Sequence, residues 1–388
     1  MSPEENVSDS YLLDQINTEV VTLMTPLMVY LSVVMFFGLI GNILVCFYYG
    51  HQTRRSGHAV FICTLALFDL ANCALSIPLD FVDTKFYYTF TNIPLCRFLS
   101  FVNHVTVMGS AFTLLAIAVD RFRRICRPLK KQLDLTKCKI LCVLSFVLAL
   151  VYSWPALILY TSIEVDLRAS SGRIVKGHDC STTKVKSYKP YIWGFNVVYL
   201  ITFIIGTGTL AVMYSLVGKA IYQHKRKVLR NSRISSQICR TKHTDVHTTQ
   251  TSSFDISVEK NEAICGGKSQ MNEMQQKEEG LNNVSIKYTI IMLVIAVVFI
   301  ISFLPYLILV ILNAFLGIKD SAKGGALVAY KIGSRSYFLI SALNPMIYGL
   351  LNSQFRKYYS SKLVLCNRCE VRRENVQSIS EATASTNV

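Results

Sequence analysis

Apolar and polar positions alternate along this chain in long blocks rather than with a short period. Seven apolar stretches, near residues 26–49, 59–81, 98–125, 140–163, 191–218, 288–316 and 326–351, are separated by polar segments. Each is long enough for the roughly 20 residues of helix that cross a hydrocarbon layer. Helix is the expected conformation, because lipid offers no partner to an exposed backbone N–H or C=O. The expected fold class is therefore an all-α membrane protein, a seven-transmembrane helix bundle. No internal repeat is visible, which weighs against a transporter built from inverted halves.

The polar segments set the domain organisation. Residues 1–25 carry Glu4, Glu5, Asp9, Asp14 and Glu19 and no Lys or Arg; without a basic start or a small-residue cleavage site they read as an arm, not a cleaved signal peptide. Residues 26–351 hold the spans. Within them, 226–285 is rich in Ser, Thr, Gln and Lys, has no hydrophobic period, and reads as a disordered third cytoplasmic loop. Residues 352–388 open with Phe355, Tyr359 and Leu363 set against Arg356, Lys357 and Lys362. That pattern predicts a short amphipathic eighth helix followed by a disordered cytoplasmic tail.

Composition agrees with this organisation. The 388 residues are 52% hydrophobic and only 16% charged, a profile of a polytopic membrane protein. A net charge of +16 could suggest nucleic acid, but the basic residues recur between spans instead of forming one patch, so no nucleic-acid partner is expected. Twelve cysteines are scattered, and Cys366–Cys369 is a lone C-x-x-C without partner ligands, so no metal-binding doublet is expected.

Orientation follows from Lys and Arg. Arg54–Arg55, the cluster from Arg121 to Lys131, Lys225–Arg226–Lys227 and Arg356–Lys357 fall on one face, which is expected to be cytoplasmic, with the N-terminus extracellular. Asn6–Val7–Ser8 is then an N-glycosylation acceptor on the outer arm. Arg168, Arg173, Lys176, Lys184, Lys186 and Lys189 crowd an outer loop, where the topology rule does not explain them; they are candidates for ligand contact.

Some residues stand out chemically. Asp120–Arg121 closes the third span, and an acid adds nothing to a topology signal. Asp69 sits mid-span, where a lone carboxylate is a functional candidate by default. Pro305 and Pro345 interrupt spans six and seven; each removes an i to i−4 bond, and a kink beside polar residues makes a hinge. Asn42, Ser110 and Asn344 are polar residues in three other spans.

Together and in order these motifs resemble the rhodopsin-like (class A) G-protein-coupled receptor family, over roughly 26–365. Gly41–Asn42 with Val45 is similar to the family's G-N-x-x-V, and Leu65–Ala66 with Asp69 to its L-A-x-x-D. Cys96 precedes Asp120–Arg121–Phe122 at the family's separation. Phe299, Phe303 and Pro305 resemble F-x-x-C-W-x-P, and Asn344–Pro345 with Tyr348 resembles N-P-x-x-Y. The resemblance implies that Asp120, Arg121, Tyr214, Phe299, Phe303, Pro305, Asn344, Pro345 and Tyr348 form an activation switch coupled to a heterotrimeric G protein. It implies a polar cluster of Asn42, Asp69, Ser110 and Asn344 that can hold a sodium ion, although Ile340 stands where another asparagine is common. No other cofactor is implied. It further implies a Cys96–Cys180 disulfide, palmitoylation at Cys366 and Cys369, a plasma-membrane location, and arrestin and receptor kinases as partners. Gly206, Phe146 and Phe122 depart from the family's usual proline, tryptophan and tyrosine, which marks a divergent member.

The ligand pocket implied by the resemblance includes Asp80, Asn103, His104, Phe303, Tyr306 and Phe338. Asn103 stands where amine receptors carry an aspartate, and Phe338 where opsins carry a retinal lysine; a monoamine or light is not expected. Thr161 to Val165 alternates, Ser170–Ser171–Gly172 can turn, and Arg173–Ile174–Val175 returns, which predicts a hairpin lid similar to those of neuropeptide receptors. The expected function is therefore a receptor for an extracellular neuropeptide, with a lipid or other small molecule as the alternative and a polytopic transporter as the remote one. No spaced constellation places a nucleophile beside a base, so enzyme activity is not expected.

Overall fold

The structure is a computed structural model and describes residues 3–52, 56–169, 172–245 and 258–362. It is mostly helical. In chain order the elements are α1 (Pro3–Leu23), α2 (Thr25–Gln52), α3 (Gly57–Ala71), α4 (Ile77–Lys85), α5 (Ile93–Cys126), α6 (Leu135–Ser153) and α7 (Ala156–Leu159). A hairpin of β1 (Tyr160–Arg168) and β2 (Ile174–Thr182) follows, then α8 (Lys189–Asp245), α9 (Val258–Leu316), α10 (Ile318–Ser321), α11 (Gly325–Gly333) and α12 (Leu339–Leu351). Residues 353–362 are again helical. The chain forms two compact units: residues 1–117, 133–207 and 294–388 make one, and residues 118–132 and 208–293 the other.

Among the described residues, six helical runs have the length and hydropathy to cross a membrane, and Ser336–Leu351 is a shorter seventh. The seventh stretch, expected as one span over 326–351, is broken. α11 ends at Gly333, Arg335 leaves helical geometry at φ −114°, and Ser336–Phe338 forms a 3-10 turn before α12. The break accompanies the two charges of that stretch, Lys331 and Arg335, both buried. The second span also changes register. Asn72–Ser76 is a π turn directly ahead of Pro78. Proline offers no N–H to the preceding turn, and a wider turn absorbs the missing bond and the ring.

Helical backbone continues past the fifth and sixth apolar stretches, α8 to Asp245 and α9 from Val258. It thus enters the segment 226–285 that the sequence assigns to a disordered loop; residues 246–257 lie outside the described ones. The added turns are rich in Lys, Arg, Gln and Glu, which have high helix propensity without needing a buried face.

Close helix approach in the larger unit depends on glycine. A Cβ on Gly41 would meet Pro345 Cβ at 2.5 Å, and one on Gly109 would overlap the Phe68 ring. Small residues let backbones approach where no water drives packing. Gly41→Val is expected to cost about 1–3 kcal/mol through overpacking against α12, read as a lower melting temperature of the purified protein.

Candidate functional site

At the hairpin end of the larger unit, side chains from several helices converge. Asn103 on α5 donates through Nδ2 to the Tyr337 hydroxyl at 2.7 Å, while its Oδ1 is buried without a hydrogen-bond partner among the described residues. Tyr337 packs against Tyr306 at 5.3 Å and Phe338 at 4.6 Å between ring centroids. Phe303 continues the row, 5.4 Å from Tyr306 and 5.6 Å from Phe299, and stacks on Phe203. His104 donates through Nδ1 to the Ser100 carbonyl at 2.6 Å, and its ring lies among Tyr160, Phe195 and Tyr199. Asn103, His104, Phe303, Tyr306 and Phe338 therefore lie in neighbouring aromatic clusters with a few polar groups. Pro305 lies inside α9 beside them.

Asp80 is engaged differently from a free ligand contact. The Arg335 guanidinium donates through Nε to Asp80 and through a terminal nitrogen to Asp83 at 3.3 Å. Tyr30 donates its hydroxyl to the Arg335 carbonyl at 3.0 Å, bringing α2 into the cluster. Lys331 sits 4.3 Å over the Tyr87 ring and makes no ion pair among the described residues.

The hairpin forms as the sequence predicts. Its register runs from Tyr160 opposite Thr182 to Arg168 opposite Ile174, and Gly172 in the turn has φ +80°, a left-handed conformation that glycine adopts without strain. Cys180 on β2 is bonded to Cys96 in the first turn of α5. His178 donates its N–H to the Tyr88 carbonyl at 2.7 Å, and Phe90 donates back to the His178 carbonyl at 3.0 Å. Across the exposed face, Lys176 donates to Glu164 at 3.0 Å, and that hydrogen bond and charge hold the Glu164 carboxyl below its ordinary value. Lys319 pairs with Asp179 at 3.2 Å. Burial works against its charged amine, yet Asp179 outweighs burial and holds Lys319 above its ordinary value.

Deeper in the same unit, Asp69 is buried. Its Oδ1 accepts from Ser341 Oγ at 3.0 Å and its Oδ2 from Asn344 Nδ2 at 2.7 Å. Ser341 accepts in turn from Asn72 Nδ2 at 2.9 Å, and Asn42 donates to the Ser341 carbonyl at 2.7 Å. Ser110 lines the space beside them, about 10 Å³. Each Asp69 oxygen accepts one hydrogen bond, and Asp69 with the Ser110 and Ser341 hydroxyls lining that space supplies the hard oxygen donors that would hold a sodium ion. The same groups form a hydrogen-bonded network that ties α2, α3 and α12 together. Ser341 and Asn72 were not singled out in the sequence, although each lies three residues from a residue that was, Asn344 and Asp69, one helical turn along the same face.

In the smaller unit Asp120 is fully buried. It accepts from Arg121 at 2.7 Å and from Arg124 Nε at 2.9 Å. In the sequence Arg124 is one basic residue of the cluster from Arg121 to Lys131, and its i, i+4 spacing from Asp120 is the signal for this second pairing. Tyr214, buried in the same unit, has a hydroxyl without a hydrogen-bond partner among the described residues. Tyr348 belongs to the larger unit and packs 5.9 Å from Tyr49, with Pro345 in the same helix. The side chain of Asn6, and Cys366 and Cys369 entirely, lie outside the described residues.

Residues 41–348 match the family described as 7 transmembrane receptor (rhodopsin family). The chain is 23% identical over 367 residues to a QRFP-like peptide receptor of Branchiostoma floridae, covering 93% of this chain and 82% of that one. It is 22% identical over 343 residues to neuropeptide FF receptor 2 of Rattus norvegicus, 86% and 72% of the two chains. Similarity to neuromedin-U receptor 2 of Mus musculus is 24% over 221 residues, 55% and 54%.

Proposed function

The chain belongs to the rhodopsin family of seven-transmembrane receptors, and from that premise we propose that it binds an extracellular neuropeptide and drives nucleotide exchange on a heterotrimeric G protein. It is a multi-pass membrane receptor, not an enzyme. The observation that carries the coupling half is Arg121, buried at the end of α5 and held by a fully buried Asp120. Two charges removed from water persist only when paired, and in this reading a second state gives Arg121 another partner. The ligand half is supported by the hairpin lid, the aromatic clusters with the buried Asn103 Oδ1, unpaired among the described residues, and relatives that are peptide receptors by name. A ligand acts here only through its differential affinity for the two states. The reading places the protein in the plasma membrane with the hairpin outside.

The test uses cells expressing wild type and Arg121→Ala, exposed to fractionated neuropeptide extracts, with intracellular calcium and cAMP read together. A wild-type response that disappears in the variant at equal surface expression is expected. Silence to peptide fractions with a response to lipid extracts would replace the peptide by a small amphiphile.

A further inference from the structure

A groove lies between the end of α6, the short α7 and the start of α8, and meets the aromatic clusters at Phe195. Its volume is about 660 Å³, and it is lined by Tyr152, Trp154, Ile158, Tyr188, Tyr191, Phe195 and neighbouring apolar residues. α6 passes into α7 through Trp154–Pro155, whose backbone stays right-handed helical. Gly194 on α8 lines it without a side chain, and a Cβ there would meet nothing within 4 Å. The hydroxyl of Tyr152 is hydrogen-bonded to Thr202, so one of the polar groups of the lining is already satisfied within the protein.

Lys186 and Lys189 lie either side of the lining residue Tyr188 in the chain, are exposed, and make no ion pair among the described residues. No Asp or Glu occurs in residues 135–163 or 180–244, the segments that build the groove. Trp154, Tyr188 and Tyr191 are exposed around it, the aromatic composition of a membrane–water interface. Lysines at that depth keep their ammonium groups in water above an apolar slot. The volume is that of a pocket for one small ligand, on the order of 300–1,000 Å³.

We propose that this groove binds a single long-chain fatty acid from the membrane, its acyl chain lying along α6, α7 and α8 and its carboxylate between Lys186 and Lys189. The head is anionic in this proposal because the charged residues next to Tyr188 in the chain, Lys186 and Lys189, are cations, and the tail is apolar because the lining is. The site also touches the aromatic cluster around His104: Phe195 lines the groove, and its ring lies 5.5 Å from that of His104. The inference rests on the reading that places the hairpin face outside the cell. Labelling of a tag inserted at the hairpin turn by a membrane-impermeant reagent checks that face separately.

The probe is a photoreactive diazirine analogue of palmitate, applied to the full chain in phosphatidylcholine vesicles, with crosslinked residues mapped by mass spectrometry. Labelling is expected to concentrate on residues 151–159 and 188–198 and to be competed by palmitate but not by the corresponding alcohol. Lys186→Gln and Lys189→Gln are each expected to lower it about fivefold, the contribution of one lysine near an anionic head group. Gly194→Trp, which fills the open space, is expected to bring it to background, while Gly194→Ala preserves it. Labelling spread equally over lipid-facing residues such as Phe36, Phe47 and Val143, equal competition by the alcohol, or indifference to both lysines would overturn the proposal. Because labelling needs no peptide response, failure here and failure of the neuropeptide reading are separate results.

Discussion

Arg335→Met is expected to destabilise the protein by about 3–5 kcal/mol, the penalty for breaking a buried ion pair from one side. Arg335 is 8% exposed and satisfies two carboxylates, Asp80 and Asp83, which have no other ion-pair partner among the described residues. Removing the guanidinium leaves both acids in a site closed to water, where an unpaired carboxylate is strongly disfavoured. Neutralising all three positions together removes the problem instead of exposing it. The triple variant Asp80→Asn, Asp83→Asn, Arg335→Met is therefore expected to recover most of the lost stability, read as the melting temperature of the detergent-purified protein. A single variant that melts with wild type would show that Lys331, above the Tyr87 ring, takes over the acids, and would remove Arg335 from its central place.

That cluster also bears on ligand charge. Asp80 counts among the pocket residues that the family resemblance implies, beside a lid that is basic. The structure occupies Asp80 and Asp83 internally, and it also occupies Glu164 with Lys176 and Asp179 with Lys319. Lys331 is the buried cation of this region without such a partner among the described residues. The acids named are thus spent on internal cations, while Lys331 and the lid's Arg168, Lys184, Lys186 and Lys189 make no ion pair among the described residues.

How far the sequence could be read differs by element, for physical reasons. Span positions were legible because crossing hydrocarbon demands length, and length survives in composition. The lid was legible because alternation from Thr161 to Val165 and a glycine at the turn are local signals. Helix facing was not. In water a helix declares its buried side by polarity; in lipid the exposed side is as apolar as the core. Exposed Phe36 and Phe47 and buried Leu31 and Val45 on α2 show no such contrast. Asn72 and Ser341 were missed for this reason, since joining Asp69 to them requires the rotation of each helix. The π turn before Pro78 and the break at Arg335 were missed because both answer to tertiary partners. Arg124 was hidden by its company, one basic residue in a cluster that topology already explained.

Cys180→Ser is the second large effect, expected to cost about 2–5 kcal/mol, as for removal of a native disulfide. An isolated two-stranded hairpin is marginal at best, and β1 and β2 have no third strand, only the bridge between Thr89 and His178. The bond from Cys180 to Cys96 joins residues 84 apart in sequence and fixes the lid to the first turn of α5, two turns before Asn103 and His104. Without it the lid is held by Ser162 to the Phe90 carbonyl, Arg97 to the Tyr160 carbonyl, the His178 backbone bonds and the Lys319–Asp179 and Arg173–Asp9 pairs, each modest alone. The loss is therefore expected to be uneven. Hydrogen exchange should accelerate across residues 160–182 well before the apolar spans, and surface expression should fall. Cys96→Ser and the double variant should match Cys180→Ser, because each removes the same bond. Unchanged exchange in the hairpin would mean that the backbone contacts with Tyr88 and Phe90 suffice, and that the disulfide acts on assembly of the chain rather than on the folded lid.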